Sequence, residues 1–280
     1  MRQFKILLDN LCFGEGPRWH DGKLYYSDMH AHTVNAVDMQ GRTTKIAEVG
    51  AWPSGLGWLP DGRMLVVSMT DRKLLRMEPG GLKLHADLSA LASYHCNDMV
   101  VDGSGRAYVG NFGYDLIHGA PLKPAELVMV EPSGAARVVA RDLQFPNGTV
   151  ITPDGKTLVV GESMGHRLTA FDIATDGTLA NRRVWADLGD GVPDGITLDA
   201  EGAIWLASPM THELLRVKQG GQVAERIKRE QMPIACVLGG PARRTLFLLS
   251  SESIDPDECR TKRNARVETT EVEVAGAGWP

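Results

Sequence analysis

The chain is short of the features that mark several large protein classes. Its 280 residues hold four cysteines, Cys12, Cys96, Cys236 and Cys259. They form no CxxC pair and no dense framework, which points to a reduced, cytoplasmic protein whose cysteines fill the core as small apolar side chains. Long hydrophobic runs are missing as well. The opening MRQFKILLDNLCFG breaks its one apolar run at Asp9 and Asn10; this is too short for a signal-peptide core or a bilayer span, so no membrane partner is expected. Basic charge is scarce: 30 Lys and Arg stand against 35 Asp and Glu, a formal charge of -5. No basic stripe forms, which argues against a nucleic-acid surface. The densest basic patch, RTKRNAR at 260–266, follows acidic residues and reads as a solvated loop. No long segment carries the 3.6-residue period of an amphipathic helix, so a coiled coil is set aside.

What is present is a repeat. PRWHDGKLYYSD (17–28), LGWLPDGRMLVVS (56–68), MVVDGSGRAYVGN (99–111), VITPDGKTLVVGES (150–163), ITLDAEGAIWLAS (196–208) and VLGGPARRTLFLLS (237–250) share one pattern of apolar strand, glycine-containing turn and second apolar strand. Asp-Gly, Ser-Gly or Glu-Gly pairs supply the positive φ of a tight hairpin in the first five. The sixth, with GGPARR, is the least regular. The turns recur roughly every 40 to 50 residues, and further strand candidates (VNAVDM, KLLRMEP, ELVMVEP, RLTAFDI, ELLRVKQ) lie between them. That spacing fits four strands per unit, and six units predict an all-β, six-bladed propeller over residues 1–280 as one domain. RVETTEVEV (266–274) and FKILL near the start both alternate like strands, so the termini are expected to complete one blade together and close the ring.

In such a ring the first strand of each blade runs along the central channel. Counting seven residues back from the turns gives Ser54, Asn97, Asn147, Asp194 and Ala235; in the first blade the equivalent is Glu15, six before Asp21. Asp194 alone, inside PDG, would read as a turn residue. As a member of a ring with Glu15, Asn97 and Asn147 it belongs to a set of hard oxygens pointed at one spot. Such a set suits a divalent cation: Ca²⁺, Mg²⁺ or Mn²⁺, with Zn²⁺ also able to bind through carboxylates.

GEGP (14–17), ND (97–98), PNG (146–148), NRRVWADL (181–188) and GVPDGITLDAEGAIWLAS (191–208) resemble the family of gluconolactonase, regucalcin and luciferin-regenerating enzyme, over nearly the whole chain and in the family's order. The resemblance implies a six-bladed propeller that holds one divalent metal ion, Ca²⁺ foremost, at the channel mouth and hydrolyses lactones. It implies metal ligation by Glu15, Asn147 and Asp194, and catalytic roles for Asp194 as general base and for Asn97 at the substrate and metal-shell position. A small-molecule substrate is the expected partner. A lyase or retro-aldol step on the same metal, and a non-catalytic binding scaffold, are the competing readings.

The chain departs from the sugar-lactone members. They usually carry Arg where YHCND has His95; NFGYDLIHGAPLKPAE (111–126) lacks their GTM…E pattern; and PIACV places Ile234 where they often have a small hydroxyl residue. These departures favour a smaller or more apolar substrate. The expected substrate-binding residues are His95, Asn97, Trp52, Phe112 and Tyr114; His118, Met164, His166, Met210 and His212 sit on loops that could line the same pocket, although each loop histidine reads first as a surface residue. Glycine, proline and aromatic content make residues 112–126 a candidate lid. Shortening it is expected to change substrate preference, read on a panel of lactones, more than melting temperature. A large loss of stability with unchanged selectivity would make it a structural strap.

Overall fold

The computed structural model describes residues 2–279. Where the sequence places a tight turn, the chain reverses: Gly155, for example, adopts φ +68°, a region an L side chain occupies only with strain. The flanking Val, Leu and Ile then pair as antiparallel strands. The result is six four-stranded antiparallel sheets. The inner strands of blades one to five are Gly14–His20, Pro53–Trp58, Cys96–Val101, Pro146–Ile151 and Ile196–Leu198, and each leads a simple meander outward. Blade six takes its inner strand Met232–Gly239 and the next two, Thr245–Ser251 and Ala265–Glu271, from the end of the chain, and its outermost strand Lys5–Leu11 from the start. Both chain ends thus complete one sheet and close the six-bladed propeller.

The core is divided among the seams between blades. Leu65, Val67 and Leu74 of blade two pack with Met99, Val101 and Val109 of blade three. Val150 and Val159 of blade four meet Ile196 and Leu206 of blade five. Leu24 and Tyr26 of blade one meet Val237, Phe247 and Leu249 of blade six. Each such side chain contributes about 1.5–3 kcal/mol by leaving water, so every blade depends on its neighbours.

Around the axis the strands come closer than side chains allow. A Cβ on Gly148 would lie 2.4 Å from the Asp194 carbonyl oxygen, and one on Gly55 would lie 2.5 Å from the Met99 nitrogen. Backbone hydrogen bonds cross the seams here, from Gly148 N–H to the Asp194 carbonyl (3.2 Å) and from Gly195 N–H to the Ile234 carbonyl (3.0 Å). In five blades the register between inner and second strand breaks beside the channel-mouth residue, between Glu15 and Arg18, Pro53 and Leu56, Cys96 and Met99, Pro146 and Thr149, and Pro233 and Ala235. Such bulges re-aim the side chains they carry.

Three details differ from the sequence reading. Residues 260–266 are not a solvated loop: Arg260–Lys262 end a helix, Pro256–Lys262, and Ala265 and Arg266 begin a strand. That helix is capped by Asp255 accepting from Glu258 N–H at 2.9 Å, and its seven residues are too few to show a period. The terminal strand stops at Glu271, short of 274. Asp194 precedes its inner strand, although its N–H still reaches the Ala207 carbonyl at 2.9 Å. His166 and His212 are exposed surface residues, as read from the sequence, each in the left-handed position that closes a 3-10 turn; His32, half-buried, holds the same position in blade one. No helix among the described residues is long and apolar enough to cross a membrane. Replacing Gly148 with Ala is expected to cost about 1–3 kcal/mol in chemical denaturation through overpacking. Gly80→Ala, which meets nothing within 4 Å, serves as the neutral control.

Candidate functional site

The channel mouth gathers the side chains of the six inner-strand positions. Glu15, Ser54, Asn97 and Asn147 are buried, and Asp194 is half-buried. Both carboxamides direct their nitrogens away. Asn97 Nδ2 donates to the Pro146 carbonyl (3.4 Å), and Asn147 Nδ2 donates to Ser163 Oγ (3.3 Å), which itself donates to the Pro193 carbonyl (2.7 Å). One Glu15 oxygen accepts from Gly16 N–H at 2.9 Å. What is left over is a set of oxygens. Asn147 Oδ1, Asp194 Oδ1 and Ser54 Oγ have neither solvent contact nor any hydrogen-bond partner. An unmet buried polar atom costs about 1–3 kcal/mol, so three at equivalent positions of blades two, four and five mark a place meant for something electropositive.

Electrostatics agrees. Burial holds the Glu15 carboxyl well above the usual carboxylate range, and the Asp194 charge adds to the shift. Burial likewise pushes Asp194 up to about 8, with the Asn147 side chain opposing and the Asp98 charge reinforcing. Among the described residues neither Glu15 nor Asp194 forms an ion pair with a basic side chain. Asp98 does: Arg18 Nη2 lies 2.6 Å from its Oδ1, in a pair whose side chains are only 5% and 6% exposed. Arg18 also donates to the carbonyls of Pro17 (2.8 Å), Leu56 (3.0 Å) and Met99, and so joins three blades. Among the described residues no three His, Cys, Asp or Glu cluster as metal ligands. The donor set here is different, two carboxylates with neutral carboxamide and hydroxyl oxygens, and it matches the hard-oxygen preference of Ca²⁺. Sequence counting placed Ser54 on the ring without giving it a part; its orphaned hydroxyl adds it to the candidate oxygens.

The expected substrate-binding residues fall into two groups. Trp52, His95 and Phe112 are half-buried at the mouth. His95 stacks on Tyr94 with ring centroids 4.1 Å apart and leans on Phe112 at 6.1 Å. Burial lowers its pKa, and its Nδ1 has no partner. Tyr114 is buried, edge-on to Phe145 at 6.1 Å. Of residues 112–126, 112–124 form a loop pinched where Gly113 meets the Lys123 carbonyl, with Ile117 and Leu122 exposed beyond, and Ala125 and Glu126 begin the strand Ala125–Val130. His118 is exposed and pairs with Asp115 at 2.7 Å, and Met210 is exposed, so neither joins the ring.

Residues 13–252 match the family model described as SMP-30/Gluconolactonase/LRE-like region. The chain belongs to this family. Among its relatives, a 6-deoxy-6-sulfogluconolactonase from Pseudomonas putida is 26% identical, the match covering 85% of this chain and 83% of the relative. A pentonolactonase from Haloferax volcanii is 25% identical over 72% of this chain and 68% of its own. The same architecture occurs in a calcium-binding protein, regucalcin, from Agrobacterium tumefaciens, with a TM-score of 0.83, 24% identity and coverage of 100% of this chain and 97% of that one.

The raised Asp194 pKa gives a pH dependence with a definite sign. Between about pH 4 and pH 8 the metal-free folded protein keeps a proton that the unfolded chain has released. Its stability is therefore fully present in acid and falls as pH rises through about 8. A cation must displace that proton, so Ca²⁺ should raise the melting temperature more at the alkaline end. Thermal melts across this range, with Ca²⁺ and with chelator, check both slopes; Asp194→Asn is expected to flatten them.

Proposed function

We propose that the protein is a divalent-metal-dependent hydrolase that opens a lactone. The observation that carries this reading is the set of three orphaned oxygens, on Ser54, Asn147 and Asp194, beside the buried Glu15 carboxyl. Lactonases among the curated relatives supply the reaction class. Glu15, Asn147 and Asp194 would hold the cation, with Ser54 adjoining. When bound, such a cation polarises an ester carbonyl and makes a coordinated water acidic.

The chain's own part is positional and acid–base. Asp194 accepts a proton at the oxygen that no donor occupies; a carboxyl held near neutrality is better matched to this task than an ordinary aspartate. Asn97, turned by its bond to the Pro146 carbonyl, presents its amide oxygen to the substrate. Arg18 secures Asp98, and with it the strand that carries Asn97, and makes its ion pair there rather than with Glu15 or Asp194. A pure scaffold would have no use for unpaired buried carboxylates, whose desolvation penalises folding.

Asp194→Asn is expected to lower kcat by about 10²–10⁴ while leaving the fold intact, the range for loss of a general base. Glu15→Gln should weaken cation binding, measured by calorimetry. Chelation should abolish turnover of a lactone panel and Ca²⁺ restore it. Full turnover after chelation, or in both variants, would overturn the proposal.

A further inference from the structure

Two residues before each channel-mouth position stands a second tier: Phe13, Trp52, His95, Phe145, Val192 and Pro233. Four of these are equivalent by backbone bonding as well as by count. The carbonyls of Phe13, Trp52, His95 and Phe145 accept the N–H groups of Met29, Met69, Phe112 and Ser163 at 2.8, 2.8, 2.9 and 3.1 Å. No member is Asp, Glu, Lys or Arg, so the tier just outside a polar ring has no permanent charge.

The tier is uneven around the channel. Over blades six, one, two and three it merges into an apolar wall. Phe13, Met29, Met69, Ile234 and Cys259 form one buried cluster, and Trp52, Phe112 and Met232 pack against it while keeping part of their surface open. His30 completes the wall between Phe13 (5.2 Å) and Trp52 (4.9 Å). Burial depresses His30 to about 4, so the wall stays neutral at physiological pH. Over blades four and five the relay from Asn147 through Ser163 to Pro193 keeps the mouth polar. The inner ring thus offers oxygens and the general base, and the tier just outside it on blades six to three offers aromatic and thioether surface.

We propose that this wall selects a lactone bearing an alkyl or aryl substituent, its ester over the polar ring and its substituent against Trp52 and Phe112. The proposal rests on the lactonase reading. Each methylene moved from water onto such a surface strengthens binding about fourfold. Hydroxyls placed against the faces of Trp52 and Phe112 would exchange water for carbon surface that returns no hydrogen bond, which discriminates against a polyhydroxylated ring.

The test uses the Ca²⁺-loaded protein and three six-membered lactones: δ-valerolactone, δ-decalactone and D-glucono-δ-lactone. kcat/KM on the alkyl lactone is expected to exceed the other two by about tenfold or more. Trp52→Gly, which suits the φ of +63° at that position, and Phe112→Ala should each erase most of that preference. His95→Arg should shift it toward the hydroxylated ring. Calorimetry with the corresponding alkyl and unsubstituted lactams reads the wall without turnover. A preference for gluconolactone, or an alkyl preference indifferent to both truncations, overturns the proposal and leaves the lactonase reading standing. Absence of hydrolysis on all three lactones, with alkyl-lactam binding that Trp52→Gly weakens, overturns the lactonase reading and upholds the apolar wall.

Discussion

The close approach of the inner strands at the axis governs the rest of the molecule. The residue after each polar position is Gly16, Gly55, Gly148 and Gly195 in blades one, two, four and five, and a Cβ there would sit 2.4–2.5 Å from the next blade. Only the absence of side chains lets backbone meet backbone. This draws oxygens from several blades into a space that excludes solvent, and the bulges in the same strands turn them inward. Were the strands a side chain further apart, the same residues would be ordinary hydrated polar groups.

Blade three breaks this rule in an informative way. It carries Asp98 where four other blades have glycine, and the cost of burying that carboxylate is met from within, by Arg18 and a backbone N–H. Glu15 and Asp194 lie beside it with no ion-pair partner among the described residues. The contrast separates two uses of buried charge in one small region. The Arg18–Asp98 pair is closed and ties three blades together. The Glu15–Asp194 set is open, and its raised proton affinity is the energetic trace of what it lacks.

Strain of this kind needs a rigid frame. The seams between blades supply it, since each apolar cluster spans two neighbouring sheets and the chain ends are joined in blade six. The loops on the mouth are then free to differ from blade to blade. Those after the second strands include three short 3-10 turns, a long loop at 112–124 and a helix at Pro256–Lys262, and they carry the variation that a substrate would meet.

Much of this was legible in the sequence because hairpins are local. An Asp-Gly or Ser-Gly turn between alternating apolar stretches dictates a reversal within about a dozen residues, and repetition of that signal implies the ring, its closure and, by counting, Glu15, Asn97, Asn147 and Asp194 at equivalent places. The remainder depends on contacts between residues far apart in the chain. That Ser54 offers an orphaned oxygen, that Arg18 crosses to Asp98 eighty residues on, and that Phe13, Trp52 and Phe112 join one wall with Ile234 are consequences of how adjacent blades approach. The loop histidines belong with the local features: His166 and His212 read first as surface residues, and in the fold they are exposed turn residues. Local pattern determined the repeat and the identity of the polar ring; the distances between blades, set by glycine at the axis, decided which of its oxygens are left without a partner.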